Sequence, residues 1–342
     1  MEKNNSIKLW RIIFTYMILI YHFDNAFPFS AEMELTAGWY IAVEFFFIVS
    51  GYLLYRTYKN GRYESAFSYT IHRLKAIYPK YIVAVIIVWI ALSICRGYTY
   101  RMSLGFLADS YFELLLLQGI GLGRGWDYIN PTLWYISVLL IAGYIIYFLL
   151  THIEEWFVKF IAPVFVIFTY AYLYRAFGHI NVVMDIEGFW GNFALLRGVA
   201  DMCVGIIAAK GTDYLLQKDK ADLSMKRIIG ALVLLLVIVL SALFGFSQYD
   251  FLFVIMIAFG VATAFLPTDS SFINSKLINK WSSITLSMYL LHDLFRAYVF
   301  PSVFSGNYQL GEKMGIMCIY LITVTIAAAL FDTLMNKVVK KF

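Results

Sequence analysis

Apolar runs that approach 20 residues recur along the whole 342-residue chain, and this recurrence constrains the fold more than any other feature. A helix needs about 20 predominantly apolar residues to cross the hydrocarbon core of a bilayer. Only 14% of the residues are charged and 61% are hydrophobic, whereas soluble domains carry about 25% charged residues. The sequence therefore predicts an all-α, polytopic membrane protein built as a transmembrane helix bundle.

Ten apolar runs are candidate spans, and basic segments indicate their orientation. Lys and Arg concentrate in residues 56–80 and 210–227, and we interpret both segments as loops on the cytoplasmic side, where such basic residues are typical. The candidate spans are residues 9–27, 39–56, 80–97, 132–151, 158–175, 191–209, 228–246, 249–267, 283–303 and 314–335.

A weaker apolar run at 104–119 decides the topology. The two basic segments, 56–80 and 210–227, are both predicted on the cytoplasmic side, so an even number of crossings must separate them. If the run at 104–119 crossed the membrane, that number would be odd. It contains Asp109 and Glu113, and glycines at 119, 121, 123 and 125 follow. We therefore interpret it as a re-entrant or interfacial helix on the outer side, with ten spans and both termini in the cytoplasm. No composition shift marks a second domain, so residues 1–342 are predicted to form one membrane domain.

The charge and the cysteines exclude several classes of function. The net charge of +5 comes from short basic segments and not from a basic domain, so no nucleic acid partner is predicted. Cys95, Cys203 and Cys318 lie in or beside apolar runs without CxxC spacing. They are expected to be buried apolar side chains, and neither a disulfide framework nor a metal site is predicted.

Ionisable side chains at membrane depth are costly, so each is a functional candidate. Arg11 and His22 lie eleven residues apart in the first span, on one face of a helix and about 16 Å apart along its axis. Glu44 near the outer end of the second span is expected to orient His22. Gly51, seven residues later on the same face, would let a helix or a ligand approach closely. The ninth span adds His292.

Each of these residues also has an ordinary structural interpretation. Arg11 could snorkel to lipid headgroups at a helix end, and Glu44 could anchor the second span at the outer interface. His22 and His292 could hydrogen-bond between helices. The basic cluster at 72–80 suits phosphate groups, but any cytoplasmic segment carries such residues.

Five short motifs occur in order along nearly the whole chain. They are Arg11 with His22, VEFFFIVSGYLL at 43–54, HRLKAIYPKY at 72–81, PTLWYISVLL at 131–140 and LSMYLLH at 286–292. In this order they resemble the acyltransferase-three superfamily, bacterial membrane enzymes that O-acylate polysaccharides and related glycoconjugates.

The chain departs from the family pattern at two positions. Ala76 stands where the family usually has a second Arg, which Lys75 or Lys80 could replace. Asp332 stands near the end of the last span, where a Glu-Pro pair is common in the family.

The resemblance implies a multi-pass protein of the cytoplasmic membrane that uses cytosolic acyl-CoA, most often acetyl-CoA, as its donor, with no bound cofactor. The acceptor would be a carbohydrate or a glycolipid. We predict that Arg11 and Arg73, with Lys75 and Tyr78, bind the donor at the inner face.

His22, Glu44 and Arg11 form the predicted catalytic group. Neutral His22 would act as general base on a sugar hydroxyl, with Glu44 orienting it; a covalent acyl-histidine is the alternative. The candidates for acceptor or supporting contacts are Ser50, Trp134, Ser137, Tyr289 and His292.

Two other classes of protein fit the same composition. A transporter or flippase for a glycolipid or polysaccharide would line a cavity with these ionisable residues, although the sequence shows no pair of broken helices in two repeated halves. A membrane sensor module without catalysis would fit the departures at Ala76 and Asp332. The sequence indicates no oligomeric state.

Overall fold

The computed structural model describes residues 5–27, 36–120, 128–183, 193–218 and 222–339, and these residues form helices without strands. The predicted all-α class is confirmed for this part of the chain. The helices are α1 (Ile7–Ala26), α2 (Ala42–Lys59), α3 (Ala66–Cys95), α4 (Tyr100–Asp109), α5 (Tyr111–Leu114), α6 (Trp134–Trp156), α7 (Ala162–Phe177), α8 (Phe193–Lys218), α9 (Leu223–Leu243), α10 (Tyr249–Ala264), α11 (Lys276–Ser283), α12 (Thr285–Leu294), α13 (Phe300–Val303) and α14 (Leu310–Val339).

Five helical stretches in the described ranges are long and apolar enough to cross a membrane. They are Ala37–Lys59, Ala66–Cys95, Pro131–Phe177, Leu223–Leu243 and Leu310–Lys337. The third stretch contains two of the predicted spans, which meet where Ile153 leaves helical geometry. The count of ten spans and the cytoplasmic position of both termini stay predictions.

The basic segment 56–80, expected to be a loop, is mostly helical. Residues 66–80 form the first half of α3, which begins at a capping box: Ser68 N donates to Ser65 Oγ (3.1 Å) and Ser65 N donates to Ser68 Oγ (3.2 Å). Pro79 lies inside this helix. The loop prediction was wrong because a cluster of positive charge indicates the side of the membrane and not the backbone conformation.

Two short helices, α4 and α5, and a 3-10 turn at Gln118–Ile120 replace the single helix predicted near 104–119. None of them is long and apolar enough to be a candidate span, and the outer-side, non-crossing position of this run stays a prediction. Glu113 on α5 is buried, and its carboxylate accepts hydrogen bonds from the backbone N–H groups of Ile129 and Asn130, both at 2.8 Å. Burial raises the pKa of Glu113 to about 7. The glycines at 121, 123 and 125 lie outside the described residues.

Helix α2 packs most extensively against α8, and two glycines allow the close approach. A Cβ added at Gly51 would lie 2.0 Å from the carbonyl oxygen of Met202, and one added at Gly205 would lie 2.1 Å from that of Ile48. Both distances are far below van der Waals contact. The prediction that a helix approaches closely at Gly51 is confirmed.

The three cysteines differ in burial. Cys203 is buried between helices, whereas Cys95 and Cys318 are exposed at the surface of the bundle. The prediction of burial was wrong for the last two, since apolar helices in a bilayer turn part of their apolar surface outward, towards lipid.

Candidate active site

A cavity of about 320 Å³ lies among α1, α2, α3, α6 and α12. Four residues singled out in the sequence line it: Arg11, Ser50, Arg73 and Tyr289. The fold therefore brings together residues from all five motifs, counting Tyr135 of the fourth.

The lining of this cavity carries positive charge. Among the described residues it contains Arg11 and Arg73 but no acidic side chain, and most of its other residues are apolar. Arg11 Nη2 donates to Thr285 Oγ1 (3.3 Å), which leaves the rest of the guanidinium available to a ligand. Guanidinium groups bind phosphate and carboxylate through paired hydrogen bonds, so the cavity favours a ligand with an anionic end and an apolar body.

The other two predicted donor-binding residues lie outside this lining. Lys75 is exposed on α3, two residues beyond Arg73. The hydroxyl of Tyr78 donates to the carbonyl oxygen of Leu114 (3.0 Å), so this residue holds α5 against α3.

His22 and His292 face each other beside the cavity. Their ring centroids are 5.0 Å apart, and the ring of Tyr289 stacks on that of His292 with 5.5 Å between centroids. His292 is fully buried, whereas His22 is half-buried. Because Tyr289 also lines the cavity, one side chain connects the arginine-lined cavity to the histidine pair.

Glu44 has a different partner from the predicted one. Its Oε1 accepts from Nε of Arg197 on α8, and both side chains are almost completely buried, with 0% and 1% of their surface exposed. Its other oxygen has no hydrogen-bond partner among the described residues. Glu44 thus does not bond His22 in this structure, because Arg197 satisfies its charge.

Arg197 was not among the residues selected from the sequence, although its position marks it as a candidate. It is a charged residue inside the apolar run 191–209, and Asp201 follows one helical turn later. The carboxylate of Asp201 accepts from the hydroxyl of Tyr170 (2.5 Å). The rule that selected Arg11, an ionisable group at membrane depth, applies equally to Arg197.

Two of the predicted acceptor or supporting residues contact other parts of the protein. Ser137 Oγ donates to the carbonyl oxygen of Leu116 (2.6 Å) and accepts from the N–H of Gly119 (2.9 Å). Its hydroxyl therefore fixes the segment after α5. The ring of Trp134 lies 5.8 Å from the guanidinium of Arg197. Ser50 Oγ, in contrast, lies in the cavity, 3.5 Å from the hydroxyl of Tyr135.

Comparison with known proteins decides the family. Residues 4–332 match the family model described as an acyltransferase domain, which covers nearly the whole chain. The chain belongs to the acyltransferase-three family. No curated protein and no solved structure matches it with significance. The protein is accordingly a membrane acyltransferase, as the five motifs predicted.

One of the two departures of this acyltransferase from the family pattern, Asp332, contacts Lys80, a candidate replacement for the Arg missing at Ala76. Lys80 forms an ion pair with Asp332, whose Oδ1 also accepts from Ser287 Oγ (3.1 Å). The pair is largely buried, with 16% and 10% of the two side chains exposed. Ala76 lines the cavity, so the usual second Arg would add positive charge there, and Lys80 does not supply it.

The described part of the acyltransferase contains no group of three or more His, Cys, Asp or Glu side chains arranged to hold a metal ion.

Proposed function

We propose that the protein is an O-acyltransferase that moves an acyl group, most simply acetyl, from cytosolic acyl-CoA to a hydroxyl of a sugar. The sugar would belong to a cell-surface polysaccharide or exopolysaccharide, or to its lipid-linked precursor, at the cytoplasmic membrane. One observation carries this proposal: the cavity lined by Arg11 and Arg73 shares Tyr289 with the pair formed by His22 and His292.

The cavity suits the two ends of an acyl-CoA. Its two arginines supply the donors that the phosphate groups of the coenzyme need. Its apolar walls, from residues such as Val49 and Leu139, suit the uncharged pantetheine arm and the thioester. Lys75, exposed on the same helix as Arg73, would contact the phosphates that remain outside the cavity.

The histidine pair supplies the proton transfer. Neutral His22 takes the proton of the acceptor hydroxyl while the hydroxyl oxygen attacks the thioester carbon. The new C–O bond forms, the C–S bond breaks, and the proton on His22 passes to the leaving thiolate to give free CoA. In the covalent variant, a ring nitrogen of His22 attacks the thioester carbon, the C–S bond breaks and the CoA thiolate leaves; the acceptor hydroxyl then attacks the acyl-histidine, and the C–N bond breaks to release His22. Glu44 on α2 supports this site by its ion pair with Arg197 on α8 and not by contact with His22.

Binding of acetyl-CoA to the purified protein in nanodiscs tests the donor site. Calorimetry should show binding by the wild type and weaker binding by Arg11→Ala. A hydrogen bond to a charged group contributes about 1.5–3 kcal/mol, so we expect the Kd to rise about 10- to 100-fold. Arg62→Ala is the control for loss of an arginine, because Arg62 is exposed in the basic segment 56–80 that also contains Arg73, and it does not line the cavity.

Two results would contradict the proposal. A folded wild type that does not bind acetyl-CoA, or an Arg11→Ala variant that binds as the wild type does, would remove the donor site. Release of free thiol from acetyl-CoA in the presence of acceptor-containing membranes separates an enzyme from a transporter or a sensor, neither of which cleaves the thioester.

A further inference from the structure

The proposed base lacks the partner that such a histidine ordinarily has. A histidine that takes up a proton at one ring nitrogen is stabilised by an acceptor for the N–H at the other, usually a carboxylate. Among the described residues no carboxylate is hydrogen-bonded to His22 or His292. Glu44 pairs with Arg197, and Oδ1 of Asp293 pairs with Arg296, whereas Oδ2 of Asp293 is hydrogen-bonded to no described group, neither histidine included.

The hydrogen bond of His292 fixes which of its nitrogens is an acceptor. Nδ1 lies 2.6 Å from the carbonyl oxygen of Tyr289. A carbonyl oxygen only accepts, so Nδ1 carries the proton, and Nε2 of the neutral ring presents a lone pair. This Nε2 is buried and has no hydrogen-bond partner in the described part of the chain. Buried polar atoms without partners are rare and costly, so this lone pair requires an explanation.

We propose that His292 is a positioning residue for His22, a role that rests on the proposed function above. When His22 takes the acceptor proton, Nε2 of His292 accepts a hydrogen bond from the ring N–H of His22, directly or through one water. The centroid separation of 5.0 Å places the rings within reach of either arrangement. Tyr289 stacks on His292 and accepts its Nδ1–H, and so holds the ring in this orientation. His292 thus does for His22 what a carboxylate does in other acyl-transfer sites.

This role differs from a purely structural one in what it requires of the side chain. Helix packing requires volume at position 292, whereas positioning of His22 requires a hydrogen-bond acceptor. His292→Phe fills the space without an acceptor, and His292→Gln keeps an acceptor oxygen on a side chain of comparable reach. His152→Phe is the control for loss of a histidine, since His152 is exposed on α6.

The test is transfer of label from [14C]acetyl-CoA to the glycan and lipid fractions of membranes from the producing cell after deletion of the gene, with purified enzyme added back. We expect His292→Phe to lower kcat about 100-fold, at the lower end of what general acid–base catalysis contributes, with the KM for acetyl-CoA changed less than about twofold. His292→Gln should recover at least about tenfold in kcat, as expected if the acceptor atom matters. His152→Phe should match the wild type.

Calorimetry of acetyl-CoA binding verifies that each variant keeps its donor site, and His292→Leu replaces His292→Phe if the latter does not bind. Wild-type kcat in the acceptor-free variant, or equal losses in the Gln and Phe variants, would overturn this inference alone. A wild type that binds acetyl-CoA but transfers no label would overturn the proposed function, and this inference with it.

Discussion

The buried ion pair between Glu44 and Arg197 allows a sharp test of how Glu44 acts. In Glu44→Gln the guanidinium of Arg197 would remain buried without its counter-charge, and removing one partner of a buried pair costs about 3–5 kcal/mol. Asp201 lies one helical turn from Arg197, and its Oδ2 has no hydrogen-bond partner in the described part of the chain. Because that carboxyl can take over part of the charge, we expect the lower end of the range, about 3 kcal/mol.

The double variant Glu44→Gln/Arg197→Met separates the pair from the chemistry. Replacing both partners of a buried pair is often neutral or stabilising, so the double variant should regain at least half of the unfolding free energy lost in Glu44→Gln. The assay is the free energy of unfolding in a mixed-micelle SDS titration, with label transfer from [14C]acetyl-CoA measured in parallel. A Glu44→Gln variant with wild-type stability and no transfer would contradict a structural role of the ion pair, since Glu44 would then act on the reaction itself.

Two further predictions concern packing and pH. Gly51→Ala places a Cβ 2.0 Å from the Met202 carbonyl and should cost about 1–3 kcal/mol of unfolding free energy; Gly105→Ala, on an exposed helix with no atom within 4 Å, should instead gain about 0.5–1 kcal/mol. Equal effects in the SDS titration would contradict the close α2–α8 crossing. The folded-state pKa of Glu113, about 7, lies above its ordinary value of 4.5, so the folded protein binds more protons between these values and stability should fall as pH rises through this window. Glu113→Gln should flatten that part of the curve, and an unchanged slope in the variant would disprove the assignment.

Apolar length and residue spacing predicted the parts of the fold that depend on them alone. The helical class, the close approach at Gly51 and the family could all be predicted from the sequence, because a bilayer admits few backbone arrangements and small residues mark close contacts. Arg11 and Arg73 were selected as charges suited to phosphate, and the structure places both in one cavity.

The partners of buried polar groups could not be predicted in the same way. Glu44 bonds Arg197 across 153 positions of sequence, and no local pattern specifies such a pairing. Tyr78 and Ser137 belong to motifs of the family, yet their hydroxyls bind backbone carbonyls near α5. Motifs identify which residues matter, whereas only the packed bundle shows whether each side chain reaches a ligand or another part of the protein.

The ion pair between Lys80 and Asp332 makes the residues of α3 and α14 depend on each other, although 252 positions separate the two residues. Consider a hybrid protein that keeps this α3 but takes its last helix from a relative with a Glu-Pro pair, or one that keeps this α14 but takes α3 from the relative. Either hybrid would combine two helices that are each adapted to a different partner. Segments exchanged to alter substrate choice should therefore be cut so that α3 and α14 come from the same parent.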